Sequence, residues 1–228
     1  MRPNPLIVAL DRSDLEEALE LARQLAPEVG MLKVGLELFW AEGPKAVRRI
    51  GETGPVFVDA KLHDIPNTVE QAAANIARLD VAMLTVHALG GPAMMAAAVR
   101  GAERGAEEAG QPKPLVVAVT VLSSQAGEEV ASPASLAYEA LSAGLDGVVV
   151  SGDDVRDVRT ACGEEFCLVV PGIRTIGANG NDQVRVLTPK EAMEKGADYL
   201  VVGRPITGSA DPSGAARGIL ADIGGDLS

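Results

Sequence analysis

Val56–Val69, VFVDAKLHDIPNTV, reads as one strand passing into one helix. Val56, Phe57 and Val58 open an apolar run. Pro66 marks a point where a helix can begin, because proline's missing N–H does no harm in a first turn. Between them stand Asp59, Lys61 and Asp64. Residues two apart on a strand share a face, so Asp59 and Lys61 are expected on the same side, acid beside ammonium. Charges at the end of an apolar strand are costly to desolvate unless they pair. From this stretch alone two readings stand open: a structural ion-pair cluster, or a catalytic charge array.

The same unit repeats outward in both directions. Apolar runs recur as LIVALD (6–11), MLKVGLEL (31–38), AMLTVHAL (82–89), PLVVAVTVL (114–122), DGVVVSG (146–152), CLVVPGIR (167–174) and YLVVGRPI (199–206). Between the runs lie Ala-rich amphipathic segments, predicted as helices over Leu15–Leu25, Pro44–Ile50, Val69–Arg78, Pro92–Ala109, Pro133–Ala143, Val155–Ala161, Pro189–Lys195 and Ser213–Ile223. Near-continuous hydrophobic strands separated by helices signal a parallel sheet covered by helices. Eight such units predict an α/β fold of the (β/α)8 TIM-barrel type. A doubly wound sheet is the competitor, but no GxGxxG follows the first strand. Gly90–Gly91 and Gly177–Gly180 read as loops rather than linkers, so residues 1–228 are expected to form a single domain.

Composition narrows the class. Of the 228 residues, 47% are hydrophobic and 23% charged, which favours a well-buried core over disorder. Aromatics make up only 3%, so the core must rest on Val, Leu, Ile and Ala. A net charge of −12 leaves no excess of Lys and Arg to neutralise a phosphate backbone, which argues against nucleic acid as a partner. No apolar run is long enough to span a bilayer, and MRPNPLIVALD lacks the organisation of a signal peptide. The expectation is a soluble, cytoplasmic protein. Cys162 and Cys167 lack nearby histidines, so Cys167 is expected as a reduced, partly buried thiol. His63 and His87 each stand apart from any second ligand of suitable spacing, and no metal is expected.

In a closed barrel the C-terminal strand ends and the loops after them build the active site. Polar residues collect there: Asp11, Lys33, Asp59 with Lys61, His87, Ser123, Ser151, Arg174 and Arg204, from the first unit to the eighth. Packing does not explain a ring of such residues around one mouth, which favours the catalytic reading of the third strand. The loops after strands seven and eight of such barrels often hold phosphate. Gly203 allows close backbone approach to an anion, and Arg204 offers a planar fork. TIGANGND (175–182) is compatible with an ordinary loop or with a lid, Gln183 standing at its far end.

These segments, and above all D-x-K-x-x-D-I-P-N-T, resemble the orotidine 5′-phosphate decarboxylase family in order and spacing from Leu6 to about Asp211. The resemblance implies a (β/α)8 barrel working as a homodimer, with active sites at the shared interface. It implies that Lys61 protonates C6 of the pyrimidine as carbon dioxide leaves. Lys33, Asp59, Lys61 and Asp64 would alternate in a charge network, Asp64 coming from the partner subunit. Asp11 and Lys33 would hold the ribose hydroxyls, and Ser123 the pyrimidine edge. Arg174, Gln183, Gly203 and Arg204 would surround the 5′-phosphate, with Thr68 completing the pocket. Substrate and product would be orotidine and uridine 5′-monophosphate, and no cofactor is demanded.

A fixed ammonium near C6 suits this chemistry, because it stabilises charge as it forms and then supplies a proton. A related group on the same barrel, 3-keto-L-gulonate 6-phosphate decarboxylase and hexulose-phosphate synthase, uses magnesium and an acidic ligand on the second strand. Here Lys33 occupies that strand, which disfavours a divalent cation. A non-catalytic binder of phosphorylated metabolites is the remaining alternative, and it would have no need of Lys61.

Overall fold

The computed structural model describes residues 4–121, 131–173 and 187–224. Its strands are β1 (Leu6–Ala9), β2 (Met31–Val34), β3 (Val56–Leu62), β4 (Met83–His87), β5 (Leu115–Val119), β6 (Gly147–Val149), β7 (Cys167–Pro171) and β8 (Tyr199–Val202). All pair in parallel and in chain order, and β8 returns to β1 to close the barrel. The helices are α1 (Leu15–Leu25), α2 (Leu36–Glu42), α3 (Pro44–Gly51), α4 (Pro66–Ala77), α5 (Gly91–Ala109), α6 (Pro133–Ser142), α7 (Val155–Cys162), α8 (Pro189–Glu194), α9 (Arg204–Thr207) and α10 (Pro212–Asp222). The expected (β/α)8 barrel is therefore the fold.

Local chemistry sets the helix ends. Asp14 caps α1 by accepting the Glu17 N–H, with Glu16 and Glu17 in the first turn and Arg23 in the last, complementing the helix dipole. Thr188 and Glu191 form a reciprocal capping box at α8. Proline stands in the first turn of α3, α4, α5, α6 and α8, as expected. Three expectations need correction. Helix α4 begins at Pro66 rather than Val69, α2 emerges from the second half of MLKVGLEL, and Gly90–Gly91 close a 3-10 turn and open α5 instead of forming a loop.

Strand alternation divides the core in two. Leu6, Val8, Leu32, Val58, Leu84 and Val170 point outward and pack under the helices. Ile7, Ala9, Met31, Phe57, Met83, Val117, Val169 and Val201 pack with one another, filling the inside of the closed barrel. The parity of this inner set decides the site. Two residues beyond Ala9, Met31, Phe57 and Met83 come Asp11, Lys33, Asp59 and Thr85, so the next layer toward the mouth is polar.

Helix α4, which follows the charged loop, is held by an unusually close seam with α5. A Cβ on Gly101 would fall 2.1 Å from the Glu70 carbonyl oxygen, and one on Gly105 would fall 2.2 Å from that of Ala74. Only glycine permits that approach of the two backbones. Glu70 accepts from both Arg100 and Arg104 across the same seam. Among the described residues, no helix is long and apolar enough to cross a membrane.

Candidate active site

Asp59 is the centre of the polar layer. Its Oδ2 lies 2.6 Å from Lys61 Nζ and 3.5 Å from Lys33 Nζ. Lys33 Nζ lies in turn 3.6 Å from Asp11 Oδ1, completing a chain Asp11–Lys33–Asp59–Lys61 across β1, β2 and β3. Side-chain exposure is least in its middle, 11% at Lys33 and 14% at Asp59, and rises toward its ends, to 30% at Lys61 and 55% at Asp11. The inner charges are thus withdrawn from solvent while the Lys61 ammonium reaches toward the opening. Gly35 leaves room for this chain, since a Cβ there would fall 2.9 Å from Lys33 Nζ.

Asp59 and Lys61 meet as expected, but not by simple alternation. From Val58 to Leu62, β3 advances four residues while its partner β4 advances only two, from Leu84 to Val86. Within this bulge Lys61 takes φ +48°, a left-handed conformation uncommon for a side chain of its size. The bulge removes the Lys61 N–H from the regular ladder. That N–H donates instead to Thr85 Oγ1 at 2.8 Å, and the same hydroxyl donates to Asp59 Oδ1 at 3.0 Å. Thr85 is fully buried on β4. No motif marks it; the sole sign in the sequence is a hydroxyl inside the apolar run AMLTVHAL.

Burial pushes the Asp59 carboxyl up, but the Lys33 and Lys61 ammonium groups, with hydrogen bonds from Lys61 and Thr85, outweigh it and hold the acid below its ordinary range. Burial, His63 and Lys61 all press the His87 imidazole down. The two histidines, apart in sequence, stack with ring centroids 5.3 Å apart, so the expectation of isolated imidazoles is corrected. The bulge takes up two residues of β3, so that Leu62 pairs with Val86 and His63 comes level with His87. Cys162 and Cys167 are both free, and burial pushes the Cys167 thiol up to about 12, in keeping with an unreactive reduced thiol.

The remaining predicted residues divide by position. Gly203 ends β8 beside the first strand, where a Cβ would stand 3.7 Å from Ala9 Cβ and 3.8 Å from Asp11 Oδ2. Arg204 follows it, exposed, and opens α9. Arg12 ties this corner together, its guanidinium donating to the Asp11 and Thr207 carbonyls. Asp64 and Thr68 are exposed beyond β3, and Asp64 accepts from the Ile65 N–H at 2.7 Å. Among the described residues Asp64 makes no ion pair, so it does not join the chain of charges within one subunit. Ser123, Arg174, Gln183 and the 175–182 segment lie outside the described residues.

The Asp59 shift carries a sign for stability. The folded acid titrates below the ordinary Asp value of about 4, so the unfolded chain takes up a proton first as pH falls. The contribution of ionised Asp59 is therefore fully present above about pH 4 and is lost as pH drops through the folded value. Urea unfolding followed from neutral to acid pH should show the wild type losing stability more steeply below about pH 4 than Asp59→Asn. Parallel curves would contradict the assignment.

Comparison with known proteins agrees with this geometry. Residues 4–219 match the family described as "Orotidine 5'-phosphate decarboxylase / HUMPS family". An orotidine 5'-phosphate decarboxylase of Moorella thermoacetica is 49% identical, over 96% of this chain and 91% of the relative. Another, from Anaeromyxobacter sp. (strain K), is 50% identical over 98% of this chain and all of the relative. Among solved structures, orotidine 5'-phosphate decarboxylase of Lactobacillus acidophilus superposes with a TM-score of 0.84 at 35% identity, covering 97% of this chain and 100% of that one. With the match spanning nearly the whole barrel and its charged mouth, the chain belongs to the orotidine 5'-phosphate decarboxylase / HUMPS family.

Proposed function

We infer that this chain decarboxylates orotidine 5′-monophosphate to uridine 5′-monophosphate, the closing step of de novo pyrimidine synthesis. One observation carries the reading: the Lys61 ammonium sits 2.6 Å from a nearly buried carboxylate at the barrel mouth, in a chain about half identical to decarboxylases of that name. In the proposed reaction the bond from C6 to the carboxyl carbon breaks, carbon dioxide leaves, and the electron pair stays on C6. The Lys61 ammonium stabilises that pair and then donates a proton to it, forming the C6–H bond. Asp59 holds the ammonium in place. Its own negative charge disfavours the substrate carboxylate, which acts in the same direction but is secondary.

Asp11 and Lys33 are proposed to take the ribose hydroxyls, with Ser123 on the pyrimidine edge and Thr68 closing the pocket. Arg174, Gln183, Gly203 and Arg204 are proposed to hold the 5′-phosphate, remote from the reacting carbon. Binding energy gained there contributes to catalysis when it is realised in the closed, desolvated state. The nearness of Gly203 to Asp11 supports a substrate lying from the eighth strand across the first.

We further propose that residues 1–228 act as one catalytic domain in a cytoplasmic homodimer, with Asp64 entering the partner's site. Two features support a shared site. Asp64 is exposed and outside its own chain's charge network. The segments following the neighbouring strands β2, β3 and β4 also expose Leu36, Trp40, Ile65 and Leu89, Trp40 to 81%. Apolar side chains grouped at one sector of a surface mark an interaction site.

Loss of orotidylate absorbance, followed with purified chain and a metal chelator, is expected at full rate. Turnover that requires magnesium, or none at all, would reject the reading. Lys61→Ala and Asp64→Ala chains should each be inactive, and their mixture should regain activity after subunit exchange. Exchange without recovery would show that each site is complete within one chain.

A further inference from the structure

Thr85 holds a place that the reaction's chemistry does not explain by itself. It lies in the polar layer beside Asp59, fully buried, with both faces of its hydroxyl occupied. The oxygen accepts the backbone N–H of Lys61 at 2.8 Å, and its proton goes to Asp59 Oδ1 at 3.0 Å. One atom group therefore touches the backbone of the residue that bears the ammonium and the side chain of the acid that anchors it. Asp59 has its other oxygen on Lys61 and Lys33, so Thr85 fixes the carboxylate's remaining oxygen and hence its plane.

The bulge makes this contact necessary. In an unbroken parallel ladder the alternation that faces the Val56 carbonyl to β4 would face the Lys61 N–H to β2, out of reach of any β4 side chain. Here the register slips between Val58 and Leu62, and Lys61 sits at φ +48°. A left-handed backbone at a long side chain persists only where its surroundings over-determine it. A buried N–H left without a partner is costly, so the hydroxyl both satisfies the donor and selects the conformation.

We propose that Thr85 is a positioning residue for the decarboxylation proposed above: its hydroxyl, rather than the β-ladder, sets the Lys61 backbone and the Asp59 carboxylate relative to each other. The proposal rests on that function for its kinetic consequences, but its geometry stands apart from it. Asp59 is also faced by Lys33 from β2 and by Lys61 from its own strand. Asp11 stands behind Lys33, and the stacked His63 and His87 stand near Lys61. None of these bonds the Lys61 N–H.

Thr85→Val keeps the shape and removes the hydroxyl; Thr85→Ala does so with less risk of overpacking; Thr85→Ser retains it. With folded Val and Ala variants, kcat is expected to fall about ten-fold or more while KM for orotidylate changes less, because aligned groups act mainly in the transition state. The Asp59 carboxyl, followed by carbon-13 NMR titration, should move up toward its ordinary range in Val and Ala. Serine should restore both readings. If Val is poorly folded, Ala decides. Wild-type kcat and an unmoved Asp59 titration in a folded hydroxyl-free variant would overturn the proposal, as would a Ser variant as impaired as Ala. Should the wild-type chain fail to turn over orotidylate, the proposed function falls, and the Asp59 titration alone still judges Thr85.

Discussion

A carboxylate held almost out of water needs more than one cation to stay charged, and this constraint shapes the whole mouth of the barrel. The effective penalty for burying such an ion is several kcal/mol. A unit charge at about 4 Å contributes on the order of 4 kcal/mol at the effective dielectric typical near protein surfaces, and less where one partner is partly exposed. One lysine would roughly balance the cost. Asp59 has two, at 2.6 and 3.5 Å, together with a buried hydroxyl, and its carboxyl is held below the ordinary range. The two ammonium groups repel each other, and Asp11 at the outer end of the row offsets part of that repulsion. Removing Asp59 would leave two neighbouring ammonium groups with only the half-exposed Asp11 to offset them, so the row depends on that one acid.

The barrel supplies what such a unit requires. Its inner layer of Phe57, Met31 and Met83 forms a dry floor directly below Asp59, Lys33 and Thr85. Above that floor the strands fix the charges before any substrate arrives. In the proposed reaction the negative charge appearing on C6 therefore meets a dipole field already in place, with no solvent to reorganise. The bulge in β3 turns the lysine toward the opening, and the glycine seam between α4 and α5 anchors the helix that follows. Strain at Lys61 and close packing at Gly101 and Gly105 serve the same end, a charge array that does not relax away from its working geometry.

Much of this was legible in the residues themselves. Eight apolar runs alternating with helical segments carried the architecture, and D-x-K-x-x-D carried the pair at its centre. What escaped has identifiable causes. Helix α2 hides in MLKVGLEL because a short apolar run looks alike as strand or helix, and only the extended Gly35 divides the two. The first turn of α4, Pro66-Asn67-Thr68, is exposed and so lacks the apolar periodicity that marks a helix. The stacking of His63 on His87, and the partnership of Thr85 with Lys61, depend on a register slip that no local pattern announces. Asp64 was placed at the site by resemblance alone. Among the described residues it makes no ion pair with the chain's own charge network and accepts only the Ile65 N–H beside it.

The most direct test of the account restores the amine chemically. Lys61→Cys, alkylated to an aminoethyl thioether, returns an ammonium at nearly the same reach, while wild-type chain carried through the same treatment controls for modification of Cys162 and Cys167. The account predicts that folded Lys61→Cys is inactive on orotidylate and that aminoethylation restores turnover. Activity before alkylation, or none after complete and fold-preserving alkylation, would contradict it.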